Sequence, residues 1–438
     1  MNMEFIKLFD KDSCGQGNYR IPAVVVTNNG VVVACADERH YGGGDNPNRI
    51  DKVVRRSLDG GKTWGDKIVA VREYGESKLQ ASAAIDPTLL YDEEKGRIFM
   101  LYDHTPSGVG ILNCSKGVGE DEQGHRFVIC QGERYTARDG KLYLGEKATD
   151  YEIDEDGNIY QKSQYVSNIF IGDGIFKEQE TFYLMLCYSD DDGLTWSKPV
   201  CLNHQVKTQD MNFIGTGPGV GVKIKRGKYA GRLVFPIYYN KGKGRVLKLS
   251  CAVIYSDDGG NSWKMGDTPT HCRKRLGLFS YKDKSVLPHE CLSESQLINL
   301  QDGGLRLFMR NHSNRKRVAV ADSYDGGESW TDFRFDDTLK QSICQLSVIN
   351  ALDGDKPCVV FLNGADTKKR RNGVIRLSYD EGKTWPYSAT LREGEFVYSS
   401  MAQLPSGDIG VLFEPSTMHE SIEWTIVSID WIKENSNA

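Results

Sequence analysis

This 438-residue chain has no apolar run long enough to cross a bilayer: residues 31–36, among the longest, fall far short of the roughly 20 that a membrane helix needs. Its eleven cysteines include no CxxC pair, and His289-Glu290 is not followed by the second His of an HExxH motif. Neither charge sign dominates, since 55 Lys and Arg face 60 Asp and Glu for a formal charge of −5. These absences exclude a helical membrane protein, remove the commonest metal and redox motifs, and leave no electrostatic footprint for nucleic acid. Asp190-Asp191-Asp192-Gly193 and Asp154-Glu155-Asp156-Gly157 lack the rest of a calcium loop. The Gly-rich stretch 215–221 fits neither a dinucleotide fingerprint nor a P-loop. No metal and no cofactor is expected.

The first residues have neither the basic start nor the long apolar core of a signal peptide. The odd number of cysteines, with Cys35, Cys187 and Cys251 inside apolar runs, reads as buried reduced thiols. The expectation is a cytoplasmic protein, or a secreted one read without its signal peptide.

What the chain does have is glycine, 46 residues of it, and one motif in five copies: SLDGGKTW at 57–64, SDDDGLTW at 189–196, SDDGGNSW at 256–263, SYDGGESW at 323–330 and SYDEGKTW at 378–385. Successive copies start 132, 67, 67 and 55 residues apart, a period of the size that marks propellers and other repeat arrays. Each follows a strand-like run. The Asp-x-Gly core suits a tight turn, with Gly at positive φ and the carboxylate accepting turn N–H groups, and the Trp can pack between sheets. Upstream, a plan of strand, Gly turn, strand, loop and strand recurs. Five such units and a motif-less one at 396–432 predict six blades. The long first interval predicts an inserted module at 105–175 within blade two, built of short hairpins. The expected organisation is a six-bladed propeller from 1–104 and 176–438 carrying a small β-rich domain at 105–175.

Three further stretches complete the pattern: Tyr19-Arg20-Ile21-Pro22, Ser293-Glu294-Ser295-Gln296 and Val397-Tyr398-Ser399-Ser400. In this order, with the repeated motif between them, the chain resembles the bacterial-type exo-sialidases, glycoside hydrolases that release terminal sialic acid. The resemblance runs over nearly the whole chain apart from the inserted segment, and some members carry a similar irregular β insertion. It implies a substrate class, sialylated glycans, and roles for individual residues. Sialic acid carries a carboxylate on its anomeric carbon, which calls for bidentate cationic donors. Arg20, Arg310 and Arg371 match the three arginines of the family, with Arg370 the alternative at the third position. Glu414 matches the glutamate that orients the first.

An attacking carboxylate would meet the substrate's own carboxylate, and sialidases are known to use Tyr instead. Tyr398 matches that nucleophile and Glu294 its base, which a phenol of pKa near 10 requires. Asp45, after three glycines in a loop that starts at Arg39, matches the acid/base. Arg39 matches a contact to the substrate's O4, and Ile85 and Asp86 match residues near the N-acetyl and O4 groups. The implied activity is retaining hydrolysis through a tyrosyl-linked intermediate. Two alternatives stay open. One is internal transfer to a 2,7-anhydro product, which tends to go with an aromatic over the site after the last glutamate; residues 416–420 offer only His419. The other is a non-catalytic sialoglycan-binding propeller.

Overall fold

The computed structural model describes residues 3–15, 17–242, 246–272, 274–275, 279–280 and 287–436. Almost all regular structure is antiparallel sheet in a propeller-like arrangement. Ile6–Phe9 pairs with Ile422–Val427, which continues through Ile409–Phe413 to Ser399–Gln403, so that the first strand completes the sheet made by the last three. Two further four-stranded sheets run from Leu292–Asn299 to Arg334–Lys340 and from Ser347–Asp353 to Tyr387–Glu395. A five-stranded sheet is built on Leu233–Asn240 and Leu249–Ser256.

The sheets do not separate into six independent blades. Nine strands, from Asn18–Val26 to Val200–Cys201, form one continuous sheet. Its two halves are joined by a single parallel pair, Ile50 with Ala83. The leading strands Asn18–Val26, Ala83–Asp92, Leu233–Asn240, Leu292–Asn299, Ser347–Asp353 and Ser399–Gln403 neighbour one another in turn, the last returning to the first. Val32–Arg39, Leu233–Asn240 and Leu249–Ser256 are buried at every position. Both their faces are covered by neighbouring sheets, which is why none of them alternates apolar with polar residues; in Val32–Arg39 the buried run ends in Asp37, Glu38 and Arg39.

The five repeated motifs share one hydrogen-bonded turn. In each, the Ser hydroxyl donates to the Asp at 2.7–2.8 Å and accepts the Gly N–H at 2.8–2.9 Å. The residue before the Trp sends its N–H and its hydroxyl to the two carboxylate oxygens. Gly61, Gly193, Gly260, Gly327 and Gly382 stand at φ of +75 to +93°, the region only glycine enters without strain. These donors hold the aspartates below their ordinary pKa, Asp258 down to about 2, although burial opposes the charge there.

Seven strands between Phe127 and Glu178 make a separate sheet. Its terminal strands, Gln164–Asn168 and Phe176–Glu178, lie side by side, so the sheet curls nearly closed around Val128, Leu142, Ile159 and Phe176. It therefore draws on residues past 175. A buried charge network docks it on the nine-stranded sheet: His104 stands 2.9 Å from Glu73 and 2.8 Å from Glu178, and Arg126 donates to Glu178 at 2.6 Å. Burial opposes a charge on His104, but Glu178 and Glu73 outweigh it and lift its pKa to about 10.

Among the described residues no cysteine is disulfide-bonded, and Cys14, Cys35, Cys187, Cys251, Cys291, Cys344 and Cys358 are buried. No described helix is long and apolar enough to cross a membrane.

Candidate active site

A cavity of about 550 Å³ opens where the leading strands meet, lined by Arg20, Asp45, Glu294, Arg310, Arg370 and Tyr398 among others. Backbone bulges aim several of these groups. In Asn18–Val26 the pairing slips between Arg20 and Ala23, with Ile21 at φ +56°, and in Ala83–Asp92 it slips between Ile85 and Thr88, with Asp86 at φ +61°. Each bulge precedes a proline and turns its strand toward the centre, a device common beside sites. Ile85 and Asp86 both line the cavity.

At the centre of these charged groups stands Tyr398, only 5% exposed. Its hydroxyl donates to Glu294 in a short hydrogen bond and accepts from Arg310 Nη1 at 3.0 Å. The same Nη1 donates to the other oxygen of Glu294 at 2.6 Å. The guanidinium carbons of Arg20 and Arg370 lie 5.5 and 5.7 Å from the centroid of the Tyr398 ring, so three cations converge on one phenol. Burial and the Glu294 carboxylate push the phenol well above its ordinary pKa, with Arg310 and Arg370 opposing. The resting phenol is protonated, and its proton already points at a carboxylate.

Glu414 is fully buried. It accepts from Arg20 Nη2 at 3.4 Å and from the Ile21 N–H at 2.8 Å. Burial alone would raise its pKa; Arg20, His419 and the Ile21 N–H instead take it down to about 2. Asp45 keeps 66% of its side chain exposed and accepts from Arg39 at 2.7 Å and from Arg20 at 3.2 Å. Those two cations outweigh desolvation and lower its pKa, so in the empty cavity it is a carboxylate. Arg39 itself is fully buried behind Asp45, bound also to Asp37 at 2.9 Å and to the Gly43 carbonyl, and is not among the residues that line the cavity.

One assignment made from the sequence is corrected. Arg371 points away from the cavity, its side chain 48% exposed and bound to Asp366 at 2.7 Å, while Arg370 lines the cavity. The pairing slips between Arg371 and Gly373, where Asn372 stands at φ +58°, so regular alternation does not carry through this strand entry and residue 370 is the one turned inside. The expected result is that Arg370→Ala weakens binding of a carboxylate ligand such as sialic acid roughly 10- to 100-fold. Arg371→Ala should change it by less than about threefold, as for a surface ion pair. Titration calorimetry on both variants checks this.

The sequence reading missed Asp103, which lines the cavity beside Asp86 with one oxygen on the Thr216 N–H at 2.9 Å and the other unpartnered. Burial and neighbouring carboxylates push both acids well above their ordinary pKa. It also missed an apolar wall of Phe182, Phe213, Tyr238 and Leu249. The one hint was an acid, Asp103, at the end of the apolar run 98–102. His312, 2.9 Å from the Ser293 hydroxyl, is driven down to about 4 by burial and Arg310, so it sits there neutral. Glu38, His40 and Asp51 lie within reach of a common ion, but Lys67 and Tyr19 already occupy Glu38, and Arg49 occupies Asp51.

Residues 169–411 match the family model described as a BNR repeat-like domain. The chain is 29% identical to an anhydrosialidase of Macrobdella decora over 91% of its own length and 58% of the relative's. It is 28% identical to a sialidase of Micromonospora viridifaciens over 95% and 52%. It thus spans little more than half the length of these curated relatives. Among solved structures, the intramolecular trans-sialidase of Ruminococcus gnavus in complex with oseltamivir carboxylate superposes with a TM-score of 0.81 at 26% identity, covering 98% of each chain. The leech intramolecular trans-sialidase complexed with 2,7-anhydro-Neu5Ac gives 0.81 at 25% identity, covering all of this chain and 72% of that one.

Proposed function

The chain belongs to the BNR repeat-like domain family, and from that premise we propose that it is a retaining exo-α-sialidase acting on sialylated glycans. The observation that carries this reading is the buried Tyr398–Glu294 hydrogen bond at the meeting point of Arg20, Arg310 and Arg370. The three arginines hold the substrate carboxylate, and Glu414 fixes Arg20. Tyr398 Oη attacks the anomeric carbon while its proton passes to Glu294, and the glycosidic C–O bond breaks as Asp45 protonates the leaving oxygen. Asp45, now a carboxylate, takes a proton from the water that attacks the anomeric carbon. The phenol leaves and recovers its proton from Glu294. On the same reading the nine-stranded sheet is two blades fused at Ile50 and Ala83, giving six in all, with the seven-stranded sheet between Phe127 and Glu178 the inserted domain.

Asp45 must be protonated to act as an acid, yet Arg39 and Arg20 keep it ionised in the empty cavity. A bound carboxylate takes over the donors of Arg20, weakens that stabilisation and raises the pKa of Asp45. Binding of a sialic acid analogue at about pH 4, where an ordinary aspartate titrates, should therefore take up a fraction of a proton, and Asp45→Asn should not. Calorimetry in buffers of different ionisation enthalpy measures this uptake; proton release would contradict it.

A second reading, transfer to a hydroxyl of the sialyl group itself, has one observation in its favour: the apolar wall of Phe182, Phe213, Tyr238 and Leu249 leaves attacking water few partners. The names of the anhydrosialidase and of the two intramolecular trans-sialidases point the same way. A purely binding propeller would have no use for the Tyr398–Glu294 pair. Mass spectrometry of the products from a sialyllactose tests all three. Free sialic acid is expected, a 2,7-anhydro sugar would replace hydrolysis by internal transfer, and no reaction would leave only binding.

A further inference from the structure

The geometry points to a subsite for the leaving sugar: we propose that residues 109–113, the first turn of the inserted segment, contact the hexose to which the sialyl group is linked, with Leu112 as the contact residue. This rests on the sialidase reading, with Asp45 as the group that protonates the leaving oxygen. Whatever lies beyond that oxygen must begin beside the loop that carries Asp45. The inserted segment packs there. Asn46 Nδ2 donates to Thr105 Oγ1 at 2.9 Å, and Gly110 lies so close that a methyl group on it would stand 2.7 Å from the Asn46 carbonyl and 3.5 Å from Pro47.

The turn is fixed before any ligand arrives. Asn113 accepts the Gly110 N–H at 2.7 Å and donates to the Gly108 carbonyl at 3.0 Å, and the Cys114 N–H closes on the Gly110 carbonyl at 3.1 Å. Ile111 and Cys114 pack against the cluster that includes Phe182 and Phe213. Leu112 alone is left out: it lines the cavity and is 51% exposed. On the sialidase reading Arg20, Arg310 and Arg370 are taken by the carboxylate, and Asp45, Tyr398 and Glu294 by the reacting atoms. An exposed leucine on a rigid turn next to the acid loop offers what the C–H face of a pyranose takes, an apolar surface held in place without further ordering cost.

Leu112→Ser and Leu112→Asp change only a half-exposed side chain, and the Phe182–Phe213 cluster is untouched. Each is compared with wild type on a sialyllactose, which has a leaving sugar, and on sialyl fluoride, which has none. On the sialyllactose kcat/KM should fall about 10-fold, the usual effect of losing one apolar contact in a pocket, and mostly through KM. On sialyl fluoride it should stay within about twofold. Equal losses on both substrates, or no change on either, would overturn the subsite. A wild-type protein inert toward sialyl fluoride would overturn the proposed activity itself, a different result from the other two.

Discussion

Tyr398→Phe loses about 10⁴-fold or more in kcat/KM on every sialoside, whatever its leaving group, because no oxygen remains to form the covalent intermediate. The substitution removes one atom from a ring that packs with Ile21, Cys344 and Val397, so the fold has no reason to change. Arg310 keeps its 2.6 Å bond to Glu294, and the contacts that fix Arg20 do not involve the phenol. Affinity for a carboxylate inhibitor should therefore stay within about threefold of wild type. This combination separates a nucleophile from a residue that merely binds. Residual activity within tenfold of wild type would refute the assignment of Tyr398.

Asp45→Ala fails differently. General acid catalysis is typically worth 10²–10⁴-fold, and its value depends on how badly the leaving oxygen needs a proton. A natural sialoside, whose leaving group is an alkoxide, should lose about that much in kcat/KM. An aryl sialoside with an acidic phenol should lose less than about tenfold, since kcat/KM reads only through the glycosylation step. Glu294→Gln should resemble Tyr398→Phe instead. It leaves the phenol with its proton and the Arg310 cation without its closest anion. Steady-state kinetics of the variants on both substrates decides the matter. Equal impairment of Asp45→Ala on the two would remove Asp45 from the acid role.

Most of the residues that meet at the cavity could be named from sequence because short motifs carry the family resemblance at those positions. Arg20 lies at a bulge flagged by the Ile-Pro that follows it, Glu294 is the third residue of Leu292–Asn299, and Tyr398 immediately precedes Ser399–Gln403. The third arginine was not decidable in the same way. In the run Lys368-Lys369-Arg370-Arg371, composition carries no phase, and a shift of one residue exchanges inside for outside. The apolar wall was invisible for a different reason: Phe182, Phe213 and Leu249 are ordinary apolar residues at or just before strand starts, and only the packing of separate sheets brings them together at the cavity. The motif turns were fully legible, since Ser, Asp, Gly and Thr or Ser satisfy one another locally. The fusion of nine strands was not, because it depends on one pair, Ile50 with Ala83, between segments with no distinctive sequence.

The closure of the first strand onto the last sheet has a consequence for how the protein is made. Arg20 emerges from the ribosome early, but the Glu414 that orients it follows 394 residues later. The sheet that carries Tyr398 is completed by Ile6–Phe9, which must wait for it. Because loop-closure entropy grows only as the logarithm of length, that wait adds little to the thermodynamic cost of the contact. It does mean that a nascent chain stalled before residue 398 has Arg20 but not Tyr398. The proposed site is completed only with the last sheet, in one step, after every other sheet has been translated.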